Sequence, residues 1–217
     1  KAEAARLTKE VAKVEGEITG FADLWDEQFV DSLALINDAR VMIGATLKSL
    51  GYSYNTTDQA QLDEAAEKLK SLRPNVRVFD YDATYQYLLS GEVKVAYLFT
   101  PYAAIAQQTN PELKCVFPAE GIGFGIDAMV IPASSENAEA AHKFLDFMMR
   151  PEIAAQSAAW TLYLNPNAAA DPLIPEELKG YDALNIPEDK LATKEFVEDV
   201  GEFEAVYQDI WTEFQMQ

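Results

Sequence analysis

The sequence predicts an α/β fold in which a parallel sheet is flanked by helices on both faces. Strand-like and helix-like segments alternate along residues 32–118 of the 217-residue chain. The strand-like segments are short apolar runs such as SLALI and VKVAYLFT, which is typical of strands buried on both faces. Helix caps, glycines and prolines separate the segments, and this alternation indicates parallel strands that are covered by helices.

The first predicted strand of this region is SLALI at 32–36, and a helix follows it directly. Asn37 and Asp38 provide an N-cap signal for the helix ARVMIGATLKSLG, which Gly51 closes. Before the strand, FADLWDEQF is predicted to be a short helix with aromatic residues on one side. Residues 1–13 are rich in Ala, Lys and Glu and are also predicted to be helical.

A second helix and further strands follow before residue 118. Thr57 or Asp58 caps the predicted helix QAQLDEAAEKLKSLR, and Pro74 ends it. The segments after it alternate in type: NVRVF (strand), YQYLLSGE (helix), VKVAYLFT (strand), AAIAQQTN (helix) and KCVFP (strand).

Polar and aromatic residues follow three of the predicted strands. In parallel sheets, ligands bind beyond the carboxyl ends of the strands and at helix N-termini. Each of these residues alone fits an ordinary cap or turn, but together they place two acids and three aromatic rings at one sheet edge. The candidates are Asp38 after SLALI, Tyr81 and Asp82 after VRVF, and Phe99, Thr100 and Tyr102 after VKVAYL.

A lone carboxylate, Asp127, lies between two apolar runs in the segment FPAEGIGFGIDAMVIP at 117–132. The glycines before it allow close approach of another backbone or a ligand, and AMVIP is predicted to be a buried strand. A carboxylate that enters a buried strand is costly unless a cation or a hydrogen-bond donor meets it. Asp127 is therefore either a capping or turn residue at a strand end or a cleft carboxylate that binds a positively charged ligand.

The pattern changes after AMVIP. ENAEAAHKFLDFMMR predicts an amphipathic helix with Phe144 and Phe147 on its apolar face, and Pro151 begins a second helix, PEIAAQSAAWTL. Residues 163–193 contain four prolines and predict an irregular crossover with a short helix at PEELKG. The chain ends in a predicted long acidic helix, KEFVEDVGEFEAVYQDIWTEFQ, with a break near Gly201.

Composition argues against several classes of function. Seventeen basic and 36 acidic residues give a net charge of −19, which disfavours a nucleic-acid partner and favours attraction of cations. The single cysteine, Cys115, and the single histidine, His142, give little support to a disulfide, a zinc site or a Ser-His-Asp triad. No apolar run approaches about 18 residues, so no membrane span is predicted, and we expect any secretion signal to have been removed.

Four stretches of the chain, taken in order, resemble the spermidine/putrescine-binding proteins of bacterial ABC importers. They are TGFADLWDEQF, INDARVMIGATLKSLGYSYNTTD, LSGEVKVAYLFTPYAAIAQQ and EGIGFGIDAMVIPASSENAEAAHKFLDFMMRPEIAAQSAAWTLYLNPN. The resemblance implies a type II periplasmic-binding-protein fold, a two-lobe clamp, here lacking most of its N-terminal lobe. It divides the chain into an α/β second lobe at 18–127 and 166–217, a helical portion of the first lobe at 128–165, and an N-terminal helix or linker at 1–17 that it does not explain.

The resemblance also implies roles for individual residues. Asp38 and Asp127 match family acids that pair with ligand amines, and Phe99 stands where the family commonly has a stacking Trp. Three positions depart from the family pattern. Val41 stands where the family often has an acid, Gly125 where it often has an aromatic residue, and Val197 where a polar contact is common. These departures favour weaker binding of long polyamines or a change of ligand.

The function that the resemblance implies is that of a solute-binding subunit, or a fragment of one, which binds a polyamine and docks on an ABC permease. It implies no cofactor, no catalysis, and a place outside the cytoplasmic membrane, periplasmic or lipid-anchored. Three alternatives remain: another cationic or polar solute, a protein-interaction module without a ligand, and, with little support, an acid–base or Mg²⁺ site formed by Asp38, Asp82 and Asp127. The helices at 137–162 would lack their usual sheet, so we also expect an exposed apolar patch or a homodimer.

Overall fold

The computed structural model describes residues 14–217, so the predicted helix at 1–13 lies outside the described residues. Strands and helices alternate as far as α4, and longer irregular stretches with short 3₁₀ turns follow. The strands are β1 (Leu33–Ile36), β2 (Val76–Asp80), β3 (Val95–Ala96), β4 (Gly123–Phe124) and β5 (Glu195–Phe196). The α-helices are α1 (Ala39–Ser49), α2 (Gln59–Leu72), α3 (Thr84–Leu89), α4 (Thr100–Thr109), α5 (Ala138–Met148), α6 (Pro151–Thr161), α7 (Glu188–Ala192) and α8 (Glu204–Gln215).

The main sheet is parallel, as the sequence predicts, with the strand order β2-β1-β3. β1 is central, and all four of its residues are buried. Leu33 lies opposite Val76 on one side and Val95 on the other. The carboxyl ends of the three strands therefore meet at one edge, where loops lead into α1, α3 and α4.

The main core lies between this sheet and the helices α1, α2 and α8. The apolar stripe of α2 is buried through Leu62, Leu69 and their neighbours, and each fully buried leucine stabilises the fold by about 1.5–3 kcal/mol. The ring of Phe79 in β2 packs edge-on against Trp211 of α8 at 5.4 Å between centroids. The helices α3 and α4 pack together, and α3 also contacts β1 and β3.

Aspartates cap the N-termini of the core helices α1 and α2. The Asp38 carboxylate accepts a 2.9 Å hydrogen bond from the Val41 N–H at the start of α1, and the Asp58 carboxylate accepts one of 2.9 Å from Ala60 at the start of α2. Asp58, and not Thr57, is therefore the cap of the second helix. Such a cap contributes about 1 kcal/mol to helix stability.

Residues 126–165 lie largely outside this core. The helix α5 has no buried residue, and Trp160 of α6 and Val130 have exposed fractions of 88% and 80%. The predicted exposed apolar patch is therefore present in the described part of the chain. Two short parallel strands, β4 just before this region and β5 after it, pair with each other.

Three predicted strands and one predicted helix differ from the structure. VKVAYLFT forms only the two-residue β3, and KCVFP and AMVIP form no strand within residues 14–217. A strand needs a hydrogen-bonded neighbour, and the backbone of 126–131 makes no hydrogen bond to another segment of the described chain. The predicted C-terminal helix begins only at Glu204, since Glu195 and Phe196 pair with β4, so Gly201 (φ 60°) lies before the helix and does not break it.

Candidate functional site

Asp38 lies at the carboxyl end of β1, where the sequence predicts a ligand-facing acid. One carboxylate oxygen is held by the Val41 N–H, and the side chain is half-buried. The N-terminus of α1 disfavours a cation here, so the carboxylate must outweigh that dipole if a cationic ligand is to bind.

The rings of Tyr81 and Phe99 lie side by side, after the carboxyl ends of β2 and β3. Their centroids are 5.6 Å apart at an interplanar angle of 65°, and Tyr81 is about half exposed. Burial raises the pKa of the Tyr81 hydroxyl, and the negative charges of Asp38, Asp127 and Asp82 raise it further. All three predicted carboxylates therefore act on a single aromatic side chain.

Asp82 is fixed by two neighbouring contacts. The hydroxyl of Tyr102 donates a 2.6 Å hydrogen bond to its carboxylate, and its own N–H donates to Asp80 at 2.9 Å. The bond to Asp82 raises the pKa of Tyr102 to about 12. The ring of Tyr102 also stacks on Tyr85 at 5.8 Å, which orders the rim of the site.

Asp127 lies in an irregular segment, whereas Thr100 lies at the start of a helix. Asp127 is exposed and lies in an irregular segment, so the prediction that it enters a buried strand was wrong. Its charge nevertheless reaches Tyr81 and Tyr163. Thr100 is the first residue of α4, directly after Phe99, and its position is the one expected of a helix start.

Sequence reasoning missed Tyr163. Burial raises the pKa of its hydroxyl, and electrostatic interactions with Asp127, Tyr81 and Asp82 raise it further, so Tyr163 shares its electrostatic surroundings with the cluster. Tyr163 follows Leu162, whose left-handed backbone (φ 60°) ends α6 and redirects the chain. The only signal in the sequence was its place in the stretch YLNPN, one of the most specific parts of the resemblance.

The three positions that depart from the family pattern add no charged or aromatic group. Val41 is half-buried in α1, Gly125 is exposed with open space around it, and Val197 is exposed. Within residues 14–217, no group of three or more His, Cys, Asp or Glu residues is arranged to hold a metal ion. The cluster thus combines carboxylates with aromatic rings, which suits an organic cation.

A separate polar groove of about 430 Å³ lies between the start of α1 and α8. Asp38, Arg40, Glu204 and Trp211 are among its lining residues. Tyr81, Phe99 and Tyr102 do not line it, so the groove and the aromatic cluster are distinct and share only Asp38.

Comparison with known proteins defines the class of this chain. A family model described as "Bacterial extracellular solute-binding protein" matches residues 3–185. The chain therefore belongs to the family of bacterial extracellular solute-binding proteins. None of the helices in the described residues is long and apolar enough to cross a membrane.

Within that family, the chain is similar to polyamine-binding members. It is 36% identical over 194 residues to a spermidine/putrescine-binding periplasmic protein of Salmonella typhimurium, a match that covers 89% of this chain and 56% of the relative. It is 31% identical over 153 residues to the putrescine-binding periplasmic protein SpuD of Pseudomonas aeruginosa, a match that covers 68% of this chain and 42% of that protein.

A solved structure supports the same assignment of fold. The spermidine/putrescine ABC transporter substrate-binding protein PotD of Streptococcus pneumoniae superimposes with a TM-score of 0.79 at 32% identity, covering 94% of this chain and 63% of that one. The predicted type II fold is therefore confirmed. The chain spans little more than half the length of the Salmonella relative and less than two thirds of the PotD structure.

Proposed function

We propose that this chain forms the ligand-binding part of a solute-binding subunit of an ABC importer and that its ligand is a polyamine such as spermidine or putrescine. The observation that carries the proposal is the pairing of the Tyr81 and Phe99 rings at 5.6 Å at the carboxyl ends of β2 and β3, where the charges of Asp38, Asp127 and Asp82 add to burial in raising the pKa of Tyr81. A polyamine has ammonium groups that need carboxylate partners and methylene groups that pack on rings. The similar proteins named for spermidine and putrescine support the same ligand class.

The energetics favour a cationic ligand over an anionic one. An ammonium group on an aromatic face gains about 0.5–2 kcal/mol, and a desolvated ammonium needs a carboxylate beside it. The net charge of −19 raises the local concentration of cations around the whole chain. An anion would meet only repulsion from the same three carboxylates.

Calorimetric titration of the chain with spermidine and with putrescine tests the proposal. We expect saturable binding, and we expect Asp127→Ala to abolish it, because the proposal pairs the Asp127 carboxylate with an ammonium group of the ligand. Asp209→Ala is the matched control, since Asp209 is exposed on α8 and its loss changes the net charge equally. Unchanged affinity of Asp127→Ala would remove this residue from the site.

A different cationic or polar solute is the second candidate. The side chains of Val41 and Val197 and the missing side chain of Gly125 leave part of the site without charge or aromatic surface. A thermal-shift panel of diamines, guanidinium compounds and neutral amides would separate this candidate from polyamines. If no ligand in the panel binds, a protein-interaction role becomes the better interpretation.

We further propose the domain division implied by the resemblance, with residues 18–127 and 166–217 as the α/β lobe and residues 128–165 as the helical part of the other lobe. The exposed apolar faces of α5 and α6 support it. Those faces would be covered by the part of the fold that the longer relatives have, or by a second copy of this chain. Light scattering with a fluorescent apolar dye tests this proposal, and a monomer that binds no dye would contradict it.

The remaining parts of the proposal concern the whole protein. Loaded with ligand, it would dock on the permease of an importer, and it would work outside the cytoplasmic membrane, in the periplasm or at the cell surface, with or without a lipid anchor. The proposal needs no cofactor. Uptake of labelled polyamine by cells that carry the gene, compared with cells that lack it, tests this step.

A further inference from the structure

The ring of Tyr54 fills a slot between two glycines near Asp38. Tyr54 is 1% exposed. A Cβ added at Gly123 of β4 would lie 2.6 Å from its Cζ, and one added at Gly44 of α1 would clash with the same ring. Tyr54 thus joins the helix that carries Asp38 to the strand β4.

The hydroxyl of Tyr54 has two partners whose chemistry fixes the direction of its proton. Its oxygen lies 3.2 Å from the carbonyl oxygen of Val41 and 3.1 Å from the hydroxyl oxygen of Tyr97. A carbonyl can only accept, and a hydroxyl has one proton to donate. Tyr54 therefore donates to Val41 and accepts from Tyr97, so the single proton of Tyr97 points at Tyr54.

Tyr97 lies on the same side of its segment as a candidate ligand-stacking ring. Its N–H continues the β3 ladder with a 2.9 Å bond to Ala34, and Phe99 follows two residues later in extended backbone. Alternation in an extended segment directs both side chains to one side. The Tyr97 ring packs edge-on against Phe21 at 5.5 Å, and the side chain is only half-buried.

The Tyr97 hydroxyl also lies within reach of the Asp38 charge. Burial, together with the charge of Asp38, raises its pKa to about 12, so the hydroxyl stays protonated at neutral pH. The N–H of Val41 donates a hydrogen bond to the Asp38 carboxylate, and the carbonyl of the same residue accepts one from the Tyr54 hydroxyl. The Asp38 carboxylate and the Tyr54 hydroxyl therefore both bond to the backbone of Val41, and the Tyr97 hydroxyl bonds to the Tyr54 hydroxyl.

We propose that Tyr97 is a further ligand-binding residue and that its oxygen accepts a hydrogen bond from an ammonium group of the ligand beside Asp38. With its proton committed to Tyr54, this oxygen presents only lone pairs to the site. It therefore favours a ligand end that carries N–H donors over one that ends in an acceptor. This inference rests on the proposed function and adds a specific residue to it.

Titration calorimetry of Tyr→Phe variants with putrescine and spermidine tests the inference. Tyr97→Phe keeps the ring and removes only the acceptor, so we expect affinity to fall about tenfold, as for loss of a hydrogen bond to a charged group. Tyr54→Phe should cause a smaller loss of affinity, because it keeps the Tyr97 oxygen as an acceptor. The loss arises because the freed Tyr97 proton can then point at the ligand. Tyr52→Phe is the matched control: its hydroxyl bonds to Glu64 beyond the far end of α1, about 16 Å along the helix from Asp38.

The outcomes separate this inference from the proposed function. If the unchanged chain does not bind the polyamines, the proposed function and the role of Tyr97 are both refuted. If the unchanged chain binds them and Tyr97→Phe binds them equally well, only the role of Tyr97 is refuted. A purely structural role would lower the thermal midpoint of Tyr97→Phe without changing its affinity. If that variant does not fold, ¹³Cζ-tyrosine NMR of the unchanged chain decides, because an unmoved Tyr97 signal at saturating putrescine would also refute the inference.

Discussion

Replacing Asp38 with Asn separates the two roles of this residue. Its carboxylate caps α1 through the Val41 N–H at 2.9 Å, and its charge acts on Tyr81 in the proposed site. Asn caps helices as well as Asp does, because its side-chain oxygen accepts the same bond. Asp38→Asn should therefore keep the cap and remove only the charge, whereas Asp38→Ala removes both.

The expected magnitudes follow from these two contacts. Loss of the cap costs about 1 kcal/mol of unfolding free energy. Loss of a carboxylate that pairs with an ammonium costs about 1.5–3 kcal/mol of binding free energy, or a rise in Kd of tenfold or more. The N-terminal dipole of α1 adds to that loss, because the neutral Asn leaves its repulsion of a cation uncompensated.

The assay combines polyamine titration with urea unfolding for each variant. Asp38→Asn should unfold like the unchanged chain and bind at least tenfold more weakly. Asp58→Ala is the control, because Asp58 caps α2 in the same way and lies outside the cluster. It should lose as much stability as Asp38→Ala and keep its affinity. An unchanged Kd for Asp38→Asn would refute the assignment of Asp38 to the site.

Three further predictions concern stability and association. Gly44→Ala should destabilise the fold by about 1–3 kcal/mol in urea unfolding, although such a change usually stabilises a helix, because the new methyl meets the Tyr54 ring. The Asp23 carboxylate accepts a 2.6 Å hydrogen bond from the Thr19 N–H, and this bond lowers the pKa of Asp23. The carboxylate therefore stabilises the fold fully above its ordinary pKa, and this stabilisation is lost as the pH falls through the lowered value. The difference in unfolding free energy between the unchanged chain and Asp23→Asn should shrink between about pH 5 and pH 2. Phe147→Ser should reduce apolar-dye binding or self-association without loss of stability, since that ring is 41% exposed; a large drop in thermal midpoint would show that it is packed in solution.

Local sequence signals predicted the order of the core elements. The apolar run at 33–36 and the caps Asp38 and Asp58 depend on residues adjacent in the chain, and the structure confirms them. The same holds for the candidate edge of the sheet, because parallel strands bring their carboxyl ends together whatever the loops contain. These features need no knowledge of distant contacts.

Features that depend on a distant partner could not be predicted in the same way. AMVIP has the composition of a buried strand but forms none within the described residues, since it lacks a neighbour to pair with. KCVFP and most of VKVAYLFT fail for the same reason. The place of Tyr163 in the cluster depends on the left-handed backbone conformation of Leu162. Leucine rarely adopts this conformation, so the sequence gives no sign of it.

The cluster is divided between two parts of the chain, and this division bears on affinity. Asp38, Tyr81 and Phe99 belong to the parallel-sheet unit, whereas Asp127 and Tyr163 lie on the segment that leaves it after β4. The two-residue strands β4 and β5 pair beside this connection, supported by the Asn55 amide, which donates to the Phe196 carbonyl at 2.7 Å and accepts from the Glu198 N–H at 2.9 Å, and the buried Leu162 packs in one cluster with Ala104 of α4. A ligand that reaches both Asp38 and Asp127 must therefore hold this short connection in one arrangement. Part of its binding free energy is spent on that ordering, so affinity depends on the connection as well as on the residues that touch the ligand.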